Sequence, residues 1–393
     1  MKSLILNNGL KIFYEQFPHL HEISVDLFIR CGSRYESNDK LGATYLLNQI
    51  NYLCGNSPKL LKVGNNMSVT TYKEYSRYSI CTLKENFQNS IDVMRNTVFE
   101  CDSDKYFDEA KTVVLKNIAY NDENNFNGYF ESIIFSGSGL SNPCCGEYNC
   151  VEAMSINEAE QTRKKIFTGE NMMLFISGNI TDDDIEYAEK TFSVFPLEKN
   201  CLKLDDVKTS CGTKIITDDG STTDARMSFA IDYSEYSGKE MSVLSSILNN
   251  NDSFLNAMLY NRLGDSFGIY SDVTEFTDIA LFNLYFKTEN IGFRNIVNYI
   301  LDNVYNISNG ISEEYLHGCV EKFVHETVAM QDNPTAYNSE AAWSIMMGGS
   351  AKTCSASEFT RMYRAMSVLR LKNLIKEMMN REKLFVLAVG SDN

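Results

Sequence analysis

Hydrophobic positions along this chain switch between a period of two and a period near 3.6, and the switches outline two halves of similar plan. Ser3 to Glu15 and Glu22 to Arg30, rich in Ile, Leu, Phe and Val, read as strands. Asn8-Gly9, between Leu6 and Leu10, signals a tight turn. Leu41 to Leu53 changes to helical spacing, with Leu46, Leu47, Ile50 and Leu53 on one side. Tyr72 to Leu83 alternates as a strand. Phe87 to Val98 then places Ile91, Met94 and Val98 on one helical face, and Phe107 to Ile118 turns Val113, Val114 and Ile118 inward. Asn171 to Gly178 is a short apolar strand closed by glycine.

The second half follows suit. Arg226 to Tyr233 alternates as a strand, Lys239 to Leu248 is helical, and Ile279 to Lys287 is a strongly apolar strand. Phe293 to Val304 and Glu313 to Met330 are helical, and Glu382 to Gly390 repeats the apolar strand closed by glycine. Each closing strand would end a unit of roughly 190 residues, the size of one domain. Leu197 to Gly212 is polar with little periodicity. We therefore expect an α+β protein of two tandem related domains, 1–198 and 213–393, joined by a linker at 199–212. Each domain would be a mostly antiparallel sheet covered by helices on one face.

Composition narrows the function. At 393 residues the chain exceeds what a single core usually supports, and 44% hydrophobic residues suffice for two cores. No run approaches 18 apolar residues, so no membrane span is expected. The apolar run within Met1 to Leu10 is too short for a secretory signal, which favours a cytoplasmic protein. A net charge of −16 disfavours nucleic acid as a partner. Eleven Cys without an export signal read as reduced thiols, and Cys144, Cys145 and Cys150 lack the paired C-x-x-C spacing of structural zinc sites. His317, Glu321 and His325 recur every four residues and could line one helix face as ligands, although exposed polar faces of this kind are far commoner. Trp343 reads as a core anchor. Gly348-Gly349-Ser350 lacks the remainder of a phosphate loop, and there is no G-x-S-x-G elbow.

A set of collinear landmarks goes further. They are Leu6-Asn7-Asn8-Gly9-Leu10-Lys11-Ile12, Cys31-Gly32-Ser33-Arg34-Tyr35-Glu36, Gly42, Pro143 to Gly146, Phe167, Asn171-Met172, Gly178-Asn179-Ile180, Phe192 and Ser312-Glu313-Glu314-Tyr315-Leu316. In this order, over almost the whole chain, they resemble the M16, or pitrilysin-type, metallopeptidases. In that family the segment here spanning Gly42 to Gln49 reads G-x-x-H-x-x-E-H, two His holding zinc and the Glu activating water. This chain has Tyr45, Asn48 and Gln49 at those positions. The third ligand, a Glu in a context like E-R-x-V-x-L-x-E, corresponds to Asn117. Tyr, Gln and Asn are poor substitutes for the imidazole, thiolate or carboxylate that zinc prefers. Asn48 cannot take a proton as a general base must.

The family's second domain carries an Arg and a Tyr that hold the peptide backbone. A gap-free register over Ser253 to Phe267 puts Tyr260 and Phe267 there; a shifted one would use Arg262 and, with a further insertion, Tyr270. The resemblance implies a non-catalytic subunit, bacterial in type, with no cofactor of its own. It would form a heterodimer with an active zinc-bearing M16 homologue and complete a chamber for peptide substrates. Ribosomally made peptide precursors are the substrate class that short pairs of this type suggest. Two alternatives stand beside it: a homodimeric peptide-binding scaffold, and an active metallopeptidase with zinc held elsewhere.

Overall fold

A computed structural model of the chain describes residues 1–56, 58–122, 126–194, 202–217, 222–232, 237–250, 253–263, 268–289, 292–346 and 355–390. The chain divides into two compact units, Met1–Lys208 with Met330–Met346, and Thr209–Ala329 with Met347–Asn393.

In the first unit, β1 (Lys2–Ile5), β2 (Lys11–Gln16), β3 (Glu22–Ile29), β4 (Met67–Thr71), β5 (Ser76–Leu83) and β6 (Met172–Gly178) form one sheet in the order β1-β2-β6-β3-β5-β4. Neighbours are antiparallel except β2 beside β6. Asn8-Gly9 makes the first hairpin: Gly9 has φ 88° and donates its N–H to Leu6 O at 2.9 Å.

The second unit holds β7 (Gly212–Thr217), β8 (Thr222–Asp232), β9 (Ile269–Glu275), β10 (Ile279–Glu289) and β11 (Leu384–Gly390), ordered β7-β11-β8-β10-β9. Here β7 runs parallel to β11 and the rest are antiparallel. Without β1, the first sheet reads β2-β6-β3-β5-β4, the same topology. The two apolar, Gly-terminated runs are the matching interior strands β6 and β11, flanked on both sides, which is why they are almost continuously hydrophobic.

One face of the first sheet presents Ile23, Val25, Leu27, Leu174 and Ile176 to Phe87, Ile91 and Met94 of the helix Phe87–Phe99 and to Phe192. In the second unit Met227, Phe229 and Phe282 meet Leu244, Ile300 and Leu374 in the same manner. The fold class is the expected one.

The other face of the first sheet is not bare. Strand alternation puts Ser24, Asp26 and Ser177 there, all fully buried. The helix Pro334–Met346 lies on it: Ser177 Oγ donates to Pro334 O at 3.0 Å, and Asn338 Nδ2 donates to Asp26 at 2.8 Å. Arg77 adds Nε and Nη2 to the same carboxylate at 3.0 and 2.7 Å. The sequence range 213–393 includes this helix, yet it packs in the first unit, because its polar groups answer strand residues that would otherwise be buried unpaired. Trp343 is half-buried there, edge-on to Tyr75 with ring centroids 6.0 Å apart. Part of the stretch read as linker also belongs to the first unit. Asp205 accepts from Arg34 Nε at 2.9 Å and from Gly139 N at 2.6 Å. Among the described residues no helix is long and apolar enough to cross a membrane.

Candidate functional site

The helix Ala43–Gly55 starts on a glycine because Gly42 has φ 98° and any Cβ would strike Val151 and Gly146. Its first turn is capped by the Glu36 carboxylate, which accepts from Gly42 N at 2.7 Å and Thr44 N at 2.6 Å. Burial pushes the Glu36 carboxyl above its ordinary value, with those two N–H groups pulling the other way. Leu46 and Ile50 pack on Ala110, Val114 and Ile118 of the helix Ser103–Asp122, while Leu47 enters the core under the sheet. This double anchoring aims Tyr45 at the second helix and Asn48 at the sheet.

Asn48 is 3% exposed and all of its polar atoms are engaged. Its Nδ2 donates to Thr71 Oγ1 at 2.7 Å and to Ser76 Oγ at 2.6 Å; its Oδ1 accepts from Tyr78 Oη at 2.6 Å. Tyr78 in turn accepts from Asn51 Nδ2 at 2.8 Å, and Ser76 Oγ accepts from the Cys31 thiol at 3.2 Å. Burial pushes that thiol up to about 12, so it stays protonated. An amide has two donors and one acceptor oxygen, and here every one has a partner within the protein. Nothing in this arrangement can take a proton from water.

Tyr45 and Asn117 meet across the two helices: Asn117 Nδ2 donates to Tyr45 Oη at 3.1 Å. Burial raises the Tyr45 phenol, keeping it neutral. Gln49 is half-buried one position beyond Asn48. The four positions that the resemblance assigns to zinc chemistry thus lie on two packed helices, but carry three neutral amides and a neutral phenol. They do not fit a zinc ion. Among the described residues no three His, Cys, Asp or Glu side chains cluster as a metal site.

The other candidates separate. His317 and His325 are exposed on the helix Glu313–Ala329, and Glu321 between them pairs with Arg364 at 3.3 Å. The Cys144 sulfur is reached by Ser33 Oγ at 4.0 Å, and burial pushes its thiol up to about 11. The Cys150 thiol donates to Asn38 O at 3.6 Å, and Cys145 packs beside the helix Ala43–Gly55. Tyr260 is 57% exposed on the helix Phe254–Leu263, whereas Phe267 lies outside the described residues. Tyr270, the shifted-register alternative, is equally exposed on β9.

Thr71, Ser76 and Tyr78 complete the site without having been singled out from sequence, and Cys31, which opens one of the landmark turns, joins them. The alternation of Tyr72 to Leu83 held the available signal, since it puts Ser76 and Tyr78 on one strand face.

The family model described as "Insulinase (Peptidase family M16)" matches residues 11–146, and the one described as "Peptidase M16 inactive domain" matches 153–323. The uncharacterized zinc protease YmxG of Bacillus subtilis (strain 168) is 20% identical over 418 residues, covering 100% of this chain and 99% of that protein. The mitochondrial-processing peptidase subunit beta of Lentinula edodes is 22% identical over 320 residues, covering 73% of this chain and 68% of that one. The crystal structure of a protease from Helicobacter pylori has a TM-score of 0.84 at 14% identity, covering 99% of each chain, and so shares the fold. With two models of one family matching successive segments that together cover most of the chain, the chain belongs to the M16 peptidase family.

Proposed function

We propose that this chain is a catalytically inactive M16 subunit of the cytoplasm. It pairs with an active, zinc-bearing M16 homologue and supplies wall and peptide contacts to a shared processing chamber. The observation that carries this reading is the closed hydrogen-bond set around Asn48, where an enzyme of the family needs a free carboxylate. The partner's zinc would activate water; this chain's part is to bind and enclose. A peptide is the natural ligand for a fold with sheet edges at β4 and β9, where backbone groups can pair with an added strand. We assign Tyr260 and Phe267 as further peptide contacts, and a ribosomally made precursor as the substrate class.

Co-expression with an M16 protein that keeps H-x-x-E-H and is encoded beside this chain tests the proposal. We expect the two to co-purify, neither to cleave alone, and the pair to lose activity when the partner's Glu becomes Gln. A partner that cleaves equally well unaided and fails to associate would overturn it, as would peptide hydrolysis by this chain alone with stoichiometric zinc.

A further inference from the structure

The second unit has a cavity between the two helices that correspond to the pair joined by Tyr45 and Asn117 in the first. The helix Gly238–Leu248 follows β8 as the helix Ala43–Gly55 follows β3. The helix Glu313–Ala329 comes after β10 and the helix Phe293–Asp302, as the helix Ser103–Asp122 comes after β5 and the helix Phe87–Phe99. In the first unit the two helices close on each other where Asn117 meets Tyr45. In the second, their counterparts leave a cavity of about 660 Å³, bordered by Tyr270 of edge strand β9. That volume is the size of a small-molecule site.

The two walls differ in chemistry. Ser242 and Ser246 line one of them, a turn apart on the helix Gly238–Leu248. Both are half-buried, and among the described residues neither hydroxyl has a hydrogen-bond partner. The opposite wall carries Glu314, Gly318 and Lys322, spaced four residues apart on one face of the helix Glu313–Ala329. Glycine is unfavourable inside a helix, and a Cβ at Gly318 would meet nothing within 4 Å, so no packing contact requires it. Its effect is to keep the wall low between two charges. Glu314 has no ion pair among the described residues. Lys322 has only Glu326, at 4.0 Å and with both side chains more than half exposed, a pair that holds it weakly.

A carboxylate and an ammonium two turns apart on a helix are separated by roughly 12 Å along its axis. An extended peptide of about three or four residues spans that length, since each residue adds at most about 3.3–3.6 Å. We propose that this cavity binds short free peptides, with the peptide's ammonium on Glu314, its carboxylate on Lys322 and its amides against the Ser242 and Ser246 hydroxyls. The two end contacts are charge-assisted and fix the direction of the ligand. A long or capped peptide can satisfy one end at most. The inference deepens the reading of this chain as part of a peptide-processing chamber, and rests on it for the source of the ligand: hydrolysis releases fragments with both ends free.

The test is an NMR titration of the full chain, without any partner, at pH 7 with the tripeptide Ala-Tyr-Ala, its N-acetyl form and its C-terminal amide. We expect the free tripeptide to bind and each cap to weaken binding roughly tenfold, the worth of one charged hydrogen bond. Glu314→Gln should weaken the free tripeptide by a similar factor and make acetylation neutral. Lys322→Met should do the same for amidation. Gly318→Leu, which favours the helix while filling the cavity, should abolish binding without lowering the unfolding temperature. No binding, equal affinity for free and capped tripeptides, or undiminished binding to the Gly318→Leu chain would overturn the site. None of these results touches the pairing with an active homologue, which co-purification decides. Cap-sensitive binding by a chain that fails to co-purify would sink the pairing alone.

Discussion

Asn117 donates its side-chain amide to the Tyr45 hydroxyl at 3.1 Å, joining two residues 72 positions apart on two packed helices. These are the positions that the M16 resemblance gives to two zinc ligands. The scaffold that would converge ligands is thus retained, while the groups brought together are a phenol and an amide that satisfy each other. Replacing an imidazole and a carboxylate by a neutral pair removes the cost of holding an uncompensated carboxylate between helices without a metal.

Restoring the motif in part should fail. For Tyr45→His, Asn48→Glu, Gln49→His with Asn117 retained, we predict substoichiometric zinc after dialysis and background cleavage of a fluorogenic peptide, because the third protein ligand is missing. Robust zinc-dependent turnover would contradict the place given to Asn117.

Asn48→Ala leaves the hydroxyls of Thr71, Ser76 and Tyr78 without their shared partner. The expected loss is about 2–3 kcal/mol in urea unfolding, from several buried hydrogen bonds. Gln49→Ala, half-buried one residue on, should change stability by less than about 0.5 kcal/mol. Equal effects would mean that the network around Asn48 is not what holds this helix to the sheet.

Asp26 is fully buried between Arg77 and Asn338. Asp26→Ala leaves Arg77 without its carboxylate and should cost about 3–5 kcal/mol. Asn338→Ala loses one buried bond to that carboxylate and should cost about 1–2 kcal/mol. Limited proteolysis of the Asn338→Ala chain should cut first near the helix Pro334–Met346.

The two units share an edge device. Asn56 follows the helix Ala43–Gly55 and clamps Met67 of β4. Asn249 follows the helix Gly238–Leu248 and clamps Ser271 of β9, with Ser271 N to Oδ1 at 2.7 Å and Nδ2 to Ser271 O at 2.8 Å. Each amide imitates a neighbouring strand for one residue. Asn56→Ala and Asn249→Ala should each cost about 1 kcal/mol and raise light scattering on mild heating, since uncovered edges pair with other chains. Unchanged scattering in both would deny the clamps a protective role.

Glu36 gives a pH signature. Its folded carboxyl is raised by burial, so folding favours its protonated form. Its contribution is fully present below the ordinary value of 4.5 and is lost as pH rises through the folded value. The stability of wild type relative to Glu36→Gln should therefore fall as pH climbs from 4.5 toward neutrality. A difference that grows with pH would mean that the folded carboxyl lies below its ordinary value.

The fold and the site are legible in the sequence only in part, for physical reasons. The strands at Glu22 to Arg30 and Ile279 to Lys287 and the helix at Phe87 to Val98 were legible because one long apolar face imposes its period. Edge strand β4, Met67–Thr71, is not legible in the sequence: it is five residues of Met, Ser, Val and Thr with a half-exposed pattern that carries little hydrophobic signal. The helix Pro334–Met346 is legible only around Trp343, since its Asn, Ser and Tyr positions serve a polar sheet face and dilute the apolar stripe.

The order of residues by itself determined the chemistry available: no imidazole or carboxylate stands at Tyr45, Asn48, Gln49 or Asn117, whatever the fold. It also determined the repeated plan, because matching interior strands demand matching apolar runs. Tertiary structure alone decided which groups satisfy one another. Asn48 finds Thr71, Ser76 and Tyr78, and Asn338 finds Asp26, only once helices and sheet have packed. A hydrogen bond acts over about 3 Å, and these partners are separated by tens to hundreds of residues, so no local pattern encodes them.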